Sequence, residues 1–150
     1  MKRNKKKSNN KGFSLVELII VIAIMAILSG ALAPQLIKYI DRSRKAADVQ
    51  TAQTIATAVN TALANESAYD SVVDGATIDI TTLSSSTTDM GKAVYSVLGA
   101  NPVPKYKKTI YTKFWVKFTV SSGDKSFVVY TTDGTDNNTL YPTVSSLYNQ

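Results

Sequence analysis

Between Phe13 and Ala33 the chain runs 21 residues whose only interruptions are Ser14, Glu17, Ser29 and Gly30. Wound as a helix, that length spans about 30 Å, the thickness of the hydrocarbon core of a bilayer. Such a segment can cross a membrane, and the charges around it say in which sense. Lys2, Arg3, Lys5, Lys6, Lys7 and Lys11 all precede Phe13, whereas Lys38, Arg42, Arg44 and Lys45 follow the run. Cations in excess before the span place the leader in the cytoplasm and everything after Pro34 outside. The formal charge of +6 therefore belongs to the leader: the other 11 Lys and Arg face 11 Asp and Glu. With 150 residues the chain has room for one modest core plus an extended element. It has no Cys and no His, which excludes disulfides, thiolate nucleophiles, Cys/His zinc sites and imidazole-based triads.

The helical pattern continues past the apolar run. Leu36, Ile37, Ile40, Val49, Ala52, Ile55, Ala56, Val59, Ala62 and Leu63 recur at spacings of three and four, one apolar stripe on an amphipathic helix. One long helix to about Asn65 is expected. Its weakest turn is Gly30 to Pro34, because proline lacks an amide hydrogen and crowds the carbonyl four residues back, that of Gly30. A bend or local break is expected there.

Beyond Glu66 the composition turns to Ser, Thr, Asp and β-branched residues. Thr77–Leu83 reads as a short strand. Asp89–Leu98 reads as a short helix capped by Thr88 or Asp89 and ended by Gly99. The stretch TIYTKFWVKFTV alternates, with Ile110, Phe114, Val116, Phe118 and Val120 on one face and Lys113, Trp115 and Lys117 on the other. SSGDK turns it back into SFVVYTT as an antiparallel pair. The final stretch, DGTDNNTLYPTVSSLYNQ, reads as a turn and an irregular segment. The expected fold class is α+β: a long helix, transmembrane in its first half and amphipathic in its second, packed on a small antiparallel sheet.

The segment KGFSLVELIIVIAIMAILSGALAP, from Lys11 to Pro34, closely resembles the N-terminus of type IV prepilins and the related pseudopilins. A basic leader ends in Gly, followed by Phe, a small hydroxyl residue, Leu-Val-Glu-Leu, an apolar run and Pro. The resemblance implies a leader over residues 1–12, an assembly helix over 13–34, its amphipathic continuation over 35–66 and a β-rich head over 67–150. It implies that prepilin peptidase cuts between Gly12 and Phe13, that Phe13 becomes the N-methylated terminus, and that Glu17 is the acid used in assembly. Pro34, with Gly30, falls at the family's helix break. The implied partners are further copies in a helical filament, the peptidase, a pilus assembly platform and, before assembly, the cytoplasmic membrane; the implied destination is an extracellular pilus. Ser14 stands where Thr is commoner, and the cysteine pair that bounds the C-terminal region of many pilins is missing.

A carboxylate inside a membrane span costs a few kcal/mol by insertion scales, so it needs a partner or a task. Cleavage after Gly12 creates a positive amine on Phe13, which in a staggered stack can meet Glu17 of a neighbour in an apolar core. Other readings of the same residues remain. Ser14-Leu-Val-Glu17 is itself a capping box, and Ala31-Leu-Ala33 is an A-x-A site of the secretory kind. A plain signal anchor is a third. In the head, Lys92–Lys125 contains seven Lys and one acid, interleaved with aromatics. Lys105, Lys107, Lys108, Lys113, Trp115 and Lys117 are thus a candidate surface for nucleic acid, or one that pairs with the acidic stretch from Asp41 to Asp89. Asp133 and Asp136 lie in a stretch resembling a calcium loop, which ordinary turn chemistry also explains; no metal and no cofactor are otherwise indicated. No catalytic spacing is present, so an enzyme is not expected. The function expected is a structural pilus subunit, with a pseudopilin of a secretion or competence machine, or a non-polymerising membrane-anchored or secreted binding domain, as alternatives.

Overall fold

The computed structural model describes residues 12–107, 109–135 and 137–149. Contacts divide the chain into two units, one ending at Tyr39 and one beginning at Ile40, with helix α1 (Leu15–Leu63) contributing to both. In the first unit the described apolar side chains of α1 stay exposed, among them Leu15, Ile19, Ile22, Ile27, Leu32 and Leu36. This part of α1 holds an 18-residue window of mean hydropathy 2.7, none of it buried. The helix is assigned continuously through Gly30 and Pro34.

In the second unit the same helix has a buried face. Ala52, Ile55, Ala56, Val59 and Ala62 are buried at the spacing of the expected stripe. They join Phe114, Val116 and Phe118 of β2 (Lys113–Ser121), all fully buried, in a single core. Alternation explains the strand, since every second side chain points to the same face. Lys113, Trp115 and Lys117 fall on the other side, as the pattern requires. Ile110 does not join the inner face: it lies before the strand begins and is 48% exposed.

The sheet has four strands in the order β1-β2-β3-β4, all antiparallel. β1 (Thr77–Asp79) is shorter than the expected strand over Thr77–Leu83. Asp79 ends it by capping a 3-10 helix over Ile80–Ser85, its carboxylate accepting the Thr81 N–H at 2.9 Å. Ile80 and Leu83, three apart, are then both buried. β3 (Asp124–Thr132) follows a tight turn in which Ser122 and Gly123 take positive φ, the twist that closes a two-residue hairpin. β4 (Asn137–Tyr141) corrects the reading of the C-terminal stretch as irregular. Asn137, Asn138 and Thr139 are polar, Leu140 is buried and Tyr141 stacks on Phe127; pairing along β3 holds the strand in place, with a register shift at Val129/Tyr130.

The long helix stops at Leu63, two residues short of the expected end. Asn65 begins a separate short helix, α2 (Glu66–Asp70), its side chain accepting from the Ala68 N–H at 3.2 Å. α3 (Asp89–Leu98) has the expected bounds: Thr88 accepts from the Gly91 N–H at its start, and Gly99 closes it at φ 67°, left-handed backbone that glycine adopts without strain.

Candidate functional site

Two places carry the residues singled out in the sequence, one in each unit. In the first, Gly12 and Phe13 precede the helix, both exposed, Phe13 at 84%. Among the described residues nothing lies within 4 Å of the place a Cβ on Gly12 would occupy. Ser14 donates its backbone N–H to Glu17 Oε2 at 2.9 Å, and Leu18 donates its N–H to the Ser14 carbonyl at 3.2 Å. That Glu17 contact is the carboxylate half of a capping box, satisfying an amide hydrogen left free at a helix start. The acid is thus turned onto its own chain, two residues beyond the junction. Gly30, facing open space, has room for a neighbour to approach its backbone closely.

In the second unit the candidate cations are divided. Lys113 forms an ion pair with Asp79 and sits 5.6 Å from the centre of the Trp115 ring. Asp79 is desolvated by burial, which raises its pKa, yet the Lys113 pair and the Thr81 bonds prevail and hold the carboxyl below its ordinary value. Lys113 is therefore already used in pairing with the acidic stretch. Lys117 is exposed opposite Thr77 of β1. Lys105 and Lys107 lie elsewhere, on the segment between α3 and β2; Lys108 lies outside the described residues. With Arg44, Val103, Pro104 and Thr109 they line an open cleft of about 540 Å³. Among the described residues, Lys105 and Lys107 share this cleft, while Lys113 is engaged with Asp79 and Trp115.

Asp48 holds that segment in place. Its carboxylate, fully buried on α1, accepts the backbone N–H groups of Lys105 at 2.7 Å and Tyr106 at 2.8 Å. Burial raises its pKa, against the lowering effect of those two bonds. One turn earlier Lys45, also buried, places its ammonium 4.8 Å from the centre of the Tyr106 ring. Tyr106, Tyr111 and Tyr148 pack with centroids 5.6 to 6.5 Å apart. The Tyr148 hydroxyl contacts Thr131 Oγ1 at 3.2 Å, and burial pushes its pKa to about 12. Sequence reading missed Asp48, although a signal was present: an acid four residues before Ala52 sits on the apolar stripe and must find donors.

Asp133 lies in the turn after β3 and accepts the Thr135 N–H at 2.9 Å, the local bonding of an Asx turn. Asp136, the other calcium candidate, lies outside the described residues. Among the described residues no group of three or more His, Cys, Asp or Glu side chains is placed to hold a metal ion.

Residues 7–33 match the family model of the prokaryotic N-terminal methylation motif. This is the signature of type IV pilins and pseudopilins, and it spans Gly12, Phe13, Glu17 and Gly30. The N-terminal segment is that of a type IV pilin-like or pseudopilin-like precursor. The head lies outside the matched residues, and no solved structure matches the chain.

Proposed function

We propose that the chain is a structural subunit of a type IV pilus, stored in the membrane as a precursor, cut between Gly12 and Phe13, methylated on Phe13 and polymerised through α1. The supporting observation is the methylation motif over residues 7–33 on a helix half whose apolar side chains are all unburied. Unburied side chains of this kind need lipid before assembly and other subunits after it. Prepilin peptidase and a pilus assembly platform are the partners such processing requires, and the role is structural rather than enzymatic.

Glu17 changes partner in this scheme. In the precursor it accepts the Ser14 N–H of its own chain. After cleavage the Phe13 amine of another subunit competes for the carboxylate, and a charge-assisted bond in a dry core outweighs an exposed one to a neutral amide. The Gly30–Pro34 turn is where the helix bends or melts in the filament, because the Gly30 carbonyl lacks its ordinary donor.

Electron microscopy of sheared surface material from cells making wild-type, Glu17→Ala and Glu17→Gln chains tests this. Removing one partner of a buried pair costs about 3 to 5 kcal/mol, enough to stop elongation, so filaments form only from the wild-type chain while all three precursors insert. Equal filament yield from all three contradicts the pairing. No filament from the wild-type chain contradicts the pilus itself and favours a membrane-anchored domain. In wild-type filaments, a helix unbroken through Pro34 contradicts the proposed bend.

A further inference from the structure

Most charged side chains among the described residues of the second unit lie toward one of two ends, with exposed Lys117 of β2 between them. At the end where the unit begins, Arg42 and Arg44 leave α1 exposed, and Asp48 anchors the segment that carries Lys105 and Lys107 beside Arg44. Arg44, Lys105 and Lys107 line one cleft here, and Arg42 lies two residues from Arg44 on α1, with Asp41 as a neighbouring acid. Asp41 approaches Arg44 only at 3.9 Å, with both side chains about half exposed. Buried Lys45 and Asp48 offset one another.

The other end is acidic. Arg44 and Leu63 are 19 residues apart on α1, about 28 Å at 1.5 Å per residue. Just past Leu63, α2 carries Glu66 and Asp70 on its exposed surface. The tip of the β2–β3 hairpin is tied to α2: the Tyr69 hydroxyl donates to the Gly123 carbonyl at 2.9 Å, and Lys125 donates to the Tyr69 carbonyl. This brings Asp124 to the same end, and Asp74 joins it by accepting the Val120 N–H at 2.9 Å. Four acids stand here against Lys125, whose ammonium also lies over the Tyr69 ring.

Between the ends, Asp79–Lys113 and Asp89–Lys92 are paired within the unit. The separation of the remaining charges is a feature of the surface, with the body of the chain formally neutral. We propose that the head docks end to end on a second copy of this chain, the basic cleft around Arg44 and Lys105 receiving the acidic end formed by α2 and the β2–β3 hairpin. A head with opposite charges at its two ends is complementary to its own copies in one polarity and repelled in the reverse one. Repetition of that contact gives an open, polar array, the form that a heterologous interface takes when it does not close. The inference rests on the filament reading above and adds to it a contact between heads, separate from the Glu17 pairing.

Charge reversal tests it in the full chain. Arg44→Glu with Lys105→Glu makes both ends acidic; Asp70→Lys with Asp124→Lys makes both basic. All four side chains are exposed. Each double variant is expected to lower filament yield about tenfold at low salt, with precursor level and head folding by circular dichroism unchanged. The variant carrying all four substitutions has its ends exchanged and is expected to recover most of the wild-type yield. Recovery in that chain supports docking of opposite ends, because damage to the fold would accumulate over four changes. Wild-type yield from both double variants overturns the inference while leaving the pilus reading intact, provided Glu17→Ala in the same cells abolishes filaments. Normal filaments from Arg44→Glu with Lys105→Glu that have lost only DNA binding overturn it in favour of a nucleic-acid surface. Absence of wild-type filaments defeats both readings together.

Discussion

The two units of this chain solve opposite problems with the same helix. Up to Tyr39, α1 exposes isoleucine and leucine on every side; from Ile40 on, it turns one stripe of alanine, isoleucine and valine into a closed core and leaves the rest polar. Periodicity makes the difference. Residues apolar all round the helix have no preferred side and need a surrounding medium, whereas an apolar stripe needs only a sheet. The first unit is therefore completed by something outside the chain, and the second by the chain itself.

The sharpest way to break that contrast is a pair of truncations. Phe114→Ala removes a fully buried ring from the core and is expected to cost the head about 3 to 5 kcal/mol. Ile24→Ala, at a side chain 52% exposed, is expected to shift head stability by less than about 0.5 kcal/mol. Urea melts of the detergent-held full chain, followed by Trp115 fluorescence, measure both. Similar losses from the two would mean that the units are not independent.

A smaller effect is expected where the second unit depends on one acid. Asp48→Ala leaves two backbone N–H groups without acceptors and is expected to cost about 1 to 3 kcal/mol. Hydrogen exchange at Lys105 and Tyr106 is expected to rise more than exchange in β2 or β3. Uniform loss of protection would show that Asp48 supports the whole core rather than the segment it bonds.

The smallest effects are in pH. Asp79 sits below its ordinary 3.8 because Lys113 and Thr81 outweigh the burial that would raise it. Its stabilising contribution is fully present above 3.8 and is lost as pH falls through its lowered folded value. Asp48 runs the other way: burial raises its folded value above 3.8, so its contribution is fully present below 3.8 and is lost as pH rises through that raised value. Thermal melts across the acid range are expected to show a shallower acid-side loss in Asp79→Asn. In Asp48→Asn the decline with rising pH is expected to disappear.

What the sequence made legible follows from how local each signal is. The long helix, α3 with both caps and the β2–β3 hairpin depend on neighbours a few residues away, and each lies close to where its pattern points. The N-terminal methylation motif was legible for the same reason, since the residues that carry it lie together over 7–33. β4 was not, because Asn137, Asn138 and Thr139 carry no apolar alternation and become a strand only by pairing with β3. Division of the lysines was equally hidden: Lys113 and Asp79 are 34 residues apart, and only the β1–β2 pairing brings them together. Asp48 reaches a segment 57 residues away, which no spacing rule encodes.

The account turns on the junction in front of the helix. N-terminal sequencing with mass spectrometry of the mature chain, recovered from sheared surface material, reads it directly. The expected result is a chain beginning at N-methylated Phe13, shorter than the precursor by residues 1–12. A surface chain still beginning at Met1, or one beginning at Pro34, would contradict it, the latter by placing the cut after Ala31-Leu-Ala33 as for a secreted domain.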